Sequence, residues 1–432
     1  MSSQNNPASP GNIQKFKISS NVSGNALDLS GGVVEFRYFE NVLSNNVTAT
    51  AVIVDSGYKS EGDKIRAAKG VLDSLPVRGG ERTDITVEDN GGNKLTFKRG
   101  LYVNRVRDAD PGTSKDVFFL DFASKEFFAN EQQRVMQRFE GKISEHVKQI
   151  LSTIYGEIEH VDNTSLNYNF IGNDRKPFYT CTWLASKAVP DKDVGSRAGF
   201  LFYQTRDGLN FRSIDKMFEQ EPSKKFIFNN TGERTPGNDS NILSYSIDSD
   251  IDLKQNMTLG TYNSRSIYFN PFSMDYYVKE YKYQPDRLGK AGKTFAANAV
   301  AEEFTQSPTR LMSHVFDVGA MPNGTGNDQL DQWKSAKTDP NYDAENTMAQ
   351  SVMRYNQMFS IKINVTIAAD FSIKAGDVVK CTFPEVSGTK QTDANPETGG
   401  IYMVASVCHR VTPRDSFTRL ALVRDSFGKR LG

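Results

Sequence analysis

The chain has 432 residues, which by length suits roughly three domains, and a folded chain of this size buries most of the surface that its unfolded form exposes. Lysine plus arginine and aspartate plus glutamate each total 52, so the formal charge is zero, which argues against a protein whose main task is to hold nucleic-acid phosphates by counterion release. The three cysteines, Cys181, Cys381 and Cys408, are too few and too widely spaced for a disulfide framework or a zinc knuckle, and reduced thiols are expected.

Residues 1–11 are rich in Ser, Asn and Pro and lack the charged start and apolar stretch of a signal peptide. No run approaches the roughly 20 apolar residues of a membrane-spanning helix. A soluble protein without stable membrane insertion is expected.

Residues 12–125 read as a compact all-β unit. Val47 to Val54 alternate with β-branched enrichment, as do residues around Leu95 to Val106, and Gly79-Gly80 and Gly91-Gly92 mark turns. Residues 126–221 change character to α+β. Ile143, Val147, Ile150, Leu151 and Ile154 recur at the spacing of one helical face. Pro177 opens a second helix through Trp183 to Ala188, and Pro190 closes it. Strands follow at Gly199–Thr205 and Asn210–Ser213 about the turn Arg206-Asp207-Gly208.

Residues 222–285 return to strands. Phe272, Met274, Tyr276 and Val278 alternate with Ser273, Asp275, Tyr277 and Lys279, the pattern of a half-buried strand. Residues 286–354 are a helical and loop excursion, with Arg287–Glu303 helical, a Gly/Asn-rich loop at Pro322–Asp328, and Asp343 capping a helix to about Arg354. Residues 355–428 are again strands and complete a second β unit with 222–285. The expected fold class is mainly β with α+β insertions, built on two similar tube-like β-barrels.

The two β units echo each other. Leu101-Tyr102-Val103, then Pro111, Ser114, Leu120 and Ser124, is matched by Ile401-Tyr402-Met403, then Pro413, Ser416, Leu422 and Ser426. Upstream, Val77-Arg78-Gly79-Gly80-Glu81 is matched by Ile373-Lys374-Ala375-Gly376-Asp377. Phe118 and Leu120 are set against Leu420 and Leu422. Echoes in the same order argue for duplication. Three copies of a doubled unit, closed head to tail, present six near-identical units, so that one ring can face a six-fold partner and a three-fold one. The expected assembly interface comprises Val47, Ala49, Ala51, Ile53, Tyr102, Phe118, Leu120, Tyr402, Leu420 and Leu422. Val52 and Val54 make the first of these strands apolar on its other face too.

Chemistry finds little purchase. His146, His160, His314 and His409 are scattered, and His409 adjoins Cys408 on a strand that points the two apart. No Gly-x-Ser-x-Gly elbow or Walker-type phosphate loop occurs, and acidic pairs such as Glu157 with Glu159 or Glu302 with Glu303 lack specific context. No catalytic residue, cofactor or metal ligand is assigned, and a non-enzyme is expected.

The sequence resembles the baseplate hub proteins of T-even-type bacteriophages. The resemblance lies in the helix with Trp183, Gly199-Phe200-Leu201-Phe202, Gly208-Leu209-Asn210-Phe211, Asp215 through Glu221-Pro222, Asp370 to Val379, and Gly400 to Val407. It implies a homotrimeric torus of two tube-like barrels per subunit. It also implies a channel for the genome and contacts with the tail tube protein, the central spike and other baseplate proteins. DNA would touch the bore only in transit, which calls for a polar or net acidic lumen. The implied setting is the tail baseplate of a virion assembled in the host cytoplasm. A hub of a secretion or injection apparatus shares that architecture, and a tail-borne cell-wall hydrolase is the enzymatic alternative.

Overall fold

The computed structural model describes residues 10–21, 26–55, 77–111, 116–165, 167–191, 198–228, 241–248, 252–271, 274–282, 294–295, 301–304, 306–315, 344–384, 395 and 398–427. The first unit contains β1 (Asn12–Ser19), β2 (Ala26–Asp28), β3 (Val33–Asn41), β4 (Thr48–Asp55), β5 (Arg82–Glu88), β6 (Lys94–Thr96), β7 (Leu101–Pro111) and β8 (Asp116–Ala123). Two-residue alternation sets the inner face: β4 buries Ala49, Ala51 and Ile53 and leaves Thr48, Thr50, Val52 and Val54 half-buried or exposed. Phe16 packs edge-on against Phe36 and Phe122, with ring centroids 6.3 and 5.9 Å away, so β1 closes the core over β3 and β8 by side chains.

The α+β segment follows. It holds α1 (Lys125–Gln132), β9 (Arg138–Phe139), α2 (Ile143–Thr153), β10 (Ile158–Val161), β11 (Phe170–Ile171), α3 (Pro177–Ala185), β12 (Phe200–Thr205), β13 (Gly208–Ser213) and α4 (Ile214–Phe218). Ser124 caps α1, its hydroxyl accepting from the Phe127 N–H at 3.3 Å. Helix α2 buries Ile143, Val147, Ile150 and Leu151 along one stripe, as their spacing requires. Pro177 occupies the first turn of α3, where its missing N–H costs no hydrogen bond. These faces enclose a separate core with Phe200, Phe202, Leu209 and Phe211 of the β12–β13 hairpin.

The rest of the chain supplies β14 (Lys224–Ile227), β15 (Ile242–Asp248), α5 (Leu253–Thr258), β16 (Asn263–Asn270), β17 (Asp275–Lys282), β18 (Thr294–Phe295), β19 (Arg310–Val315), α6 (Ala344–Met358), β20 (Ile361–Ala368), β21 (Val378–Thr382), β22 (Gly400–Val411), β23 (Ser416–Arg424) and β24 (Ser426–Phe427). Here the structure corrects three expectations. Residues 263–282 do not join the second β unit: β16 pairs with β17 and with β19 in a sheet of their own. In that sheet the face carrying Tyr276 and Val278 points to solvent, and Tyr281 points inward. Thr294 and Phe295, expected as helix, instead pair with β24. The remainder of the expected 287–303 helix lies largely outside the described residues, as do Phe272, Ser273 and the loop at 322–328. Helix α6 runs to Met358, beyond Arg354, because Met358 adds a fully buried side chain to its packed face. Among the described residues no helix is long and apolar enough to cross a membrane.

One 14-stranded sheet carries both units, in the order β15-β20-β23-β22-β3-β4-β8-β7-β5-β1-β2, with β21 on the free half of β22, β14 beyond it, and β6 on β5. The units are therefore not separately closed barrels. The C-terminal half of β3 gives its outer hydrogen bonds to β22, so the ladder of the first unit runs on into the second.

The duplication is visible in the topology. The order β3-β4-β8-β7-β5 recurs as β15-β20-β23-β22-β21. Bulges recur with it: the register slips between Val33 and Glu35 and between Ile242 and Ser244, and again between Val103 and Arg105 and between Val404 and Ser406. These registers correct the pairing read from the sequence. Val103 lies opposite Phe122, and Val404 lies opposite Leu422. Tyr402 therefore corresponds to Leu101, and Leu420 to Leu120. Matching by residue type had set the first strand off by one and the second by two. The slip matters, because a one-residue shift moves a side chain to the opposite face.

Candidate assembly site

The two units meet where β3 and β22 pair, from Ser406 opposite Asn41 to Val411 opposite Phe36. Glu40 lies inside this junction, 1% exposed, opposite Val407. Its carboxylate accepts from the Ala375 N–H at 2.8 Å, the Arg206 N–H at 2.9 Å and the Tyr38 hydroxyl at 2.9 Å. One buried acid thus ties the first unit, the α+β segment and the turn before β21. Burial pushes the Glu40 carboxyl above its ordinary value, against the pull of the Arg206 charge and the three hydrogen bonds. The Arg206 guanidinium continues the link, donating to the carbonyls of Phe371 and of Ser372, the latter at 3.0 Å.

The turn that Glu40 grips is one of the duplicated motifs. In the first unit the Glu81 carboxylate accepts from the Arg78 and Gly79 N–H groups, both at 2.8 Å, and in the second Asp377 accepts from the Lys374 N–H at 2.9 Å. The Gly80 N–H donates to the Val103 carbonyl, as the Gly376 N–H does to that of Val404. Gly376 has φ +90°, and a Cβ there would stand 2.2 Å from the Tyr203 hydroxyl, so both backbone shape and space demand glycine. The cation of the second motif makes two ion pairs: Lys374 reaches Glu159 at 2.5 Å and Asp207 at 2.9 Å. Burial works to raise Glu159, but bonds from Asn210, Lys374 and Thr205 outweigh it and hold the carboxyl below its ordinary value.

Nine of the ten residues expected at an assembly interface are committed elsewhere. Val47, Ala49, Ala51, Ile53, Phe118 and Leu120 fill the core of the first unit, and Tyr402, Leu420 and Leu422 fill that of the second. None has more than about 2% of its surface free, so these side chains have nothing to offer a second copy. Tyr102 alone is half-buried, edge-on to Phe128 at 6.4 Å. Glu40 and Arg206 were missed by sequence reasoning. The available signal was an acid at the end of an otherwise alternating strand, and it reads equally well as an exposed charge.

A second buried ionic group fastens helix α6. Arg354, 4% exposed at its side chain, lies 2.7 Å from Asp215 of α4 and 2.7 Å from Asp425 after β23. Burial opposes its charge, and the two carboxylates overcome that opposition and raise it above the ordinary arginine value.

His409 of β22 lies opposite Tyr38 of β3, their rings parallel within 8° and 6.2 Å apart, and its Nδ1 is 2.9 Å from the Thr418 hydroxyl. Burial, aided by the Arg206 charge, drives the imidazole from 6.5 down to about 3. The unfolded chain therefore takes up a proton below pH 6.5 that the folded chain refuses until about pH 3. Stability contributed by the neutral ring is complete above that upper value and is lost as pH falls through the window, at about 1.4 kcal/mol per pH unit. A His409→Leu variant is expected to flatten this slope in denaturation curves taken from pH 7 to 4. A variant that keeps the wild-type slope refutes the assignment.

The three cysteines are free thiols. Cys381 sits in the core of the second unit, and burial pushes it up to about 12. Among the described residues, no three His, Cys, Asp or Glu side chains come together as a metal site. A crevice of about 40 Å³ between the first unit and the α+β segment is lined in part by Arg99, Glu126 and Glu157. Arg99 pairs with Glu126 at 3.1 Å and Glu157 at 3.4 Å, and the space suits about one water.

No family profile matches the sequence, and no curated protein matches it. The fold does match solved structures. The tail protein from Neisseria meningitidis MC58 superposes with a TM-score of 0.52 at 11% identity, over 96% of this chain and 100% of that one. The 43 kDa tail protein of prophage MuSo2 from Shewanella oneidensis gives 0.53 at 8% identity, over 96% and 98%. An Escherichia coli component of the type VI secretion system is more loosely similar, at 0.43 and 8% identity over 98% and 79%. The chain has the fold of phage tail proteins, as the resemblance to baseplate hubs implied.

Proposed function

We propose that this chain is the structural hub of a contractile phage tail. In this reading three copies form a ring that adapts the six-fold tail tube to the three-fold central spike, contacts other baseplate proteins, and surrounds part of the path of the ejected DNA. It performs no catalysis. Its mechanism is mechanical, and its place is the virion baseplate.

The observation that carries this reading is the duplicated five-strand order, with shared bulges and shared acid-capped turns, joined edge to edge in one sheet. A subunit whose two halves already meet through a strand edge can repeat that contact between subunits, so three subunits supply six equivalent places. The tail-protein fold supports the same setting. A hub in a secretion or injection apparatus keeps the architecture and changes only the machine, and the neighbouring genes distinguish the two.

Mass measurement in solution with negative-stain imaging tests the reading, on the chain alone and mixed with the spike protein encoded nearby. A trimeric ring with six-fold pseudo-symmetry is expected. A chain that stays monomeric in both preparations refutes it.

A further inference from the structure

The β3–β22 junction has two unused counterparts within the same chain. By topology β22 corresponds to β7 and β3 to β15. Strand β22 pairs along its first half with β21 and along its second half with β3. Strand β7 pairs through Leu101 and Tyr102 with β5, and Val103 still bonds to Glu81, but beyond that point only β8 flanks it among the described residues. Strand β15 has β20 on one side and, among the described residues, no ladder on the other, with a single bridge from Ile227 to Asn241 just before it. Each free edge is therefore one half of a junction whose complete form the chain already contains.

Burial marks the missing neighbours. Tyr38 and Val407, inside the internal junction, are both 0% exposed. Their counterparts are not: Ile247 on β15 is 40% exposed, and Val106 on β7 is only partly buried. Asn104, Arg105 and Arg107 along the same half of β7 are exposed. An exposed edge with apolar residues at ladder positions is a template for pairing with another chain.

We propose that the distal half of β7 in one copy and β15 in the next form an antiparallel ladder that repeats the β3–β22 junction between subunits. The inference rests on the ring reading above and names the surfaces that close the ring. Carrying the internal register across, with the extra bulge of β7 after Asp108, sets Arg107 opposite Asp248, Asp108 opposite Ile247 and Pro111 opposite Tyr245. A basic position thus meets an acidic one, and the proline, which has no N–H to offer, falls at the end of the ladder. The occupant of each edge is a second copy of this chain, because the pattern is heterologous. One edge gives and the other receives, which uses both edges of every subunit and closes a ring, whereas β15 against β15 would leave β7 bare.

Paired cysteines test the register in the full chain. Opposed Cα atoms in an antiparallel ladder stand about 4.5–5.5 Å apart, inside the roughly 4.4–6.8 Å span of a disulfide. Arg107→Cys with Asp248→Cys is expected to shift the non-reduced mass from one chain to covalent multiples up to three. Arg105→Cys with Asp248→Cys, about 7 Å out of register, is expected to stay at one chain. Ile247→Glu sets a second carboxylate directly opposite Asp108, a destabilising like-charge pair, and is expected to reduce the solution mass to one chain while the melting curve is kept. A ring that forms without the in-register cross-link, or that survives Ile247→Glu, overturns the ladder and leaves the hub reading standing. A wild-type chain that is monomeric at every concentration, alone and mixed with the spike protein, and whose cysteine pairs stay unlinked in both preparations, overturns both.

Discussion

Arg354→Met is expected to lower the stability of the fold by about 3–5 kcal/mol, because it strands two buried carboxylates. Asp215 and Asp425 are 1% and 0% exposed, and each lies 2.7 Å from this guanidinium. The arginine comes from α6, Asp215 from α4 beside the β12–β13 hairpin, and Asp425 from the end of the second β unit, so the loss is felt where three segments join. Equilibrium denaturation followed by tryptophan fluorescence reads it, since Trp183 lies on α3 of the α+β segment. Adding Asp215→Asn and Asp425→Asn to the same chain is expected to recover part of the loss by removing the stranded charges. A triple variant no more stable than the single one would show that Arg354 acts through packing, including its contact with Phe218 at 5.7 Å.

Glu40→Ala has the second large effect, a loss of about 3 kcal/mol or more, since each buried donor left unmet costs about 1–3 kcal/mol. The donors are the N–H groups of Ala375 and Arg206 and the hydroxyl of Tyr38. Glu40→Gln should also destabilise, though less, because whichever way the amide turns its NH2 opposes an N–H. Hydrogen exchange supplies the local readout. The amides of Ala375 and Arg206 are expected to exchange faster in Glu40→Ala, while those of α2 keep their protection. Unchanged exchange at both sites would mean that the junction is held by its strand ladder alone.

These sites show how unevenly the structure could be read from the sequence. Helices α2 and α3 were legible because their apolar spacing and the proline at a first turn act locally. The duplicated turns were legible for the same reason. A small residue with positive φ followed by an acid that takes backbone N–H groups is a requirement met within five residues. The inner faces of the strands were visible too, but their role was not. Ala49 and Leu420 alternate as residues of a core do and equally as residues of an interface do, and only their burial assigns them to the chain's own cores. The β16–β17 hairpin, placed in the second unit by its position in the chain, pairs with β19 instead.

The sequence by itself determined most strands of the two β units, the alternation of their faces, two helices, the turn chemistry and the existence of a repeat, because each follows from side-chain pattern over a few neighbouring residues. Tertiary structure alone decided that β3 joins β22 in one continuous sheet, that Glu40 is buried there, and which edges stay unpaired among the described residues. The reason is that a strand edge offers the same N–H and C=O groups whatever its side chains. Alternation names the face a residue points to but says nothing of which edge its backbone will meet.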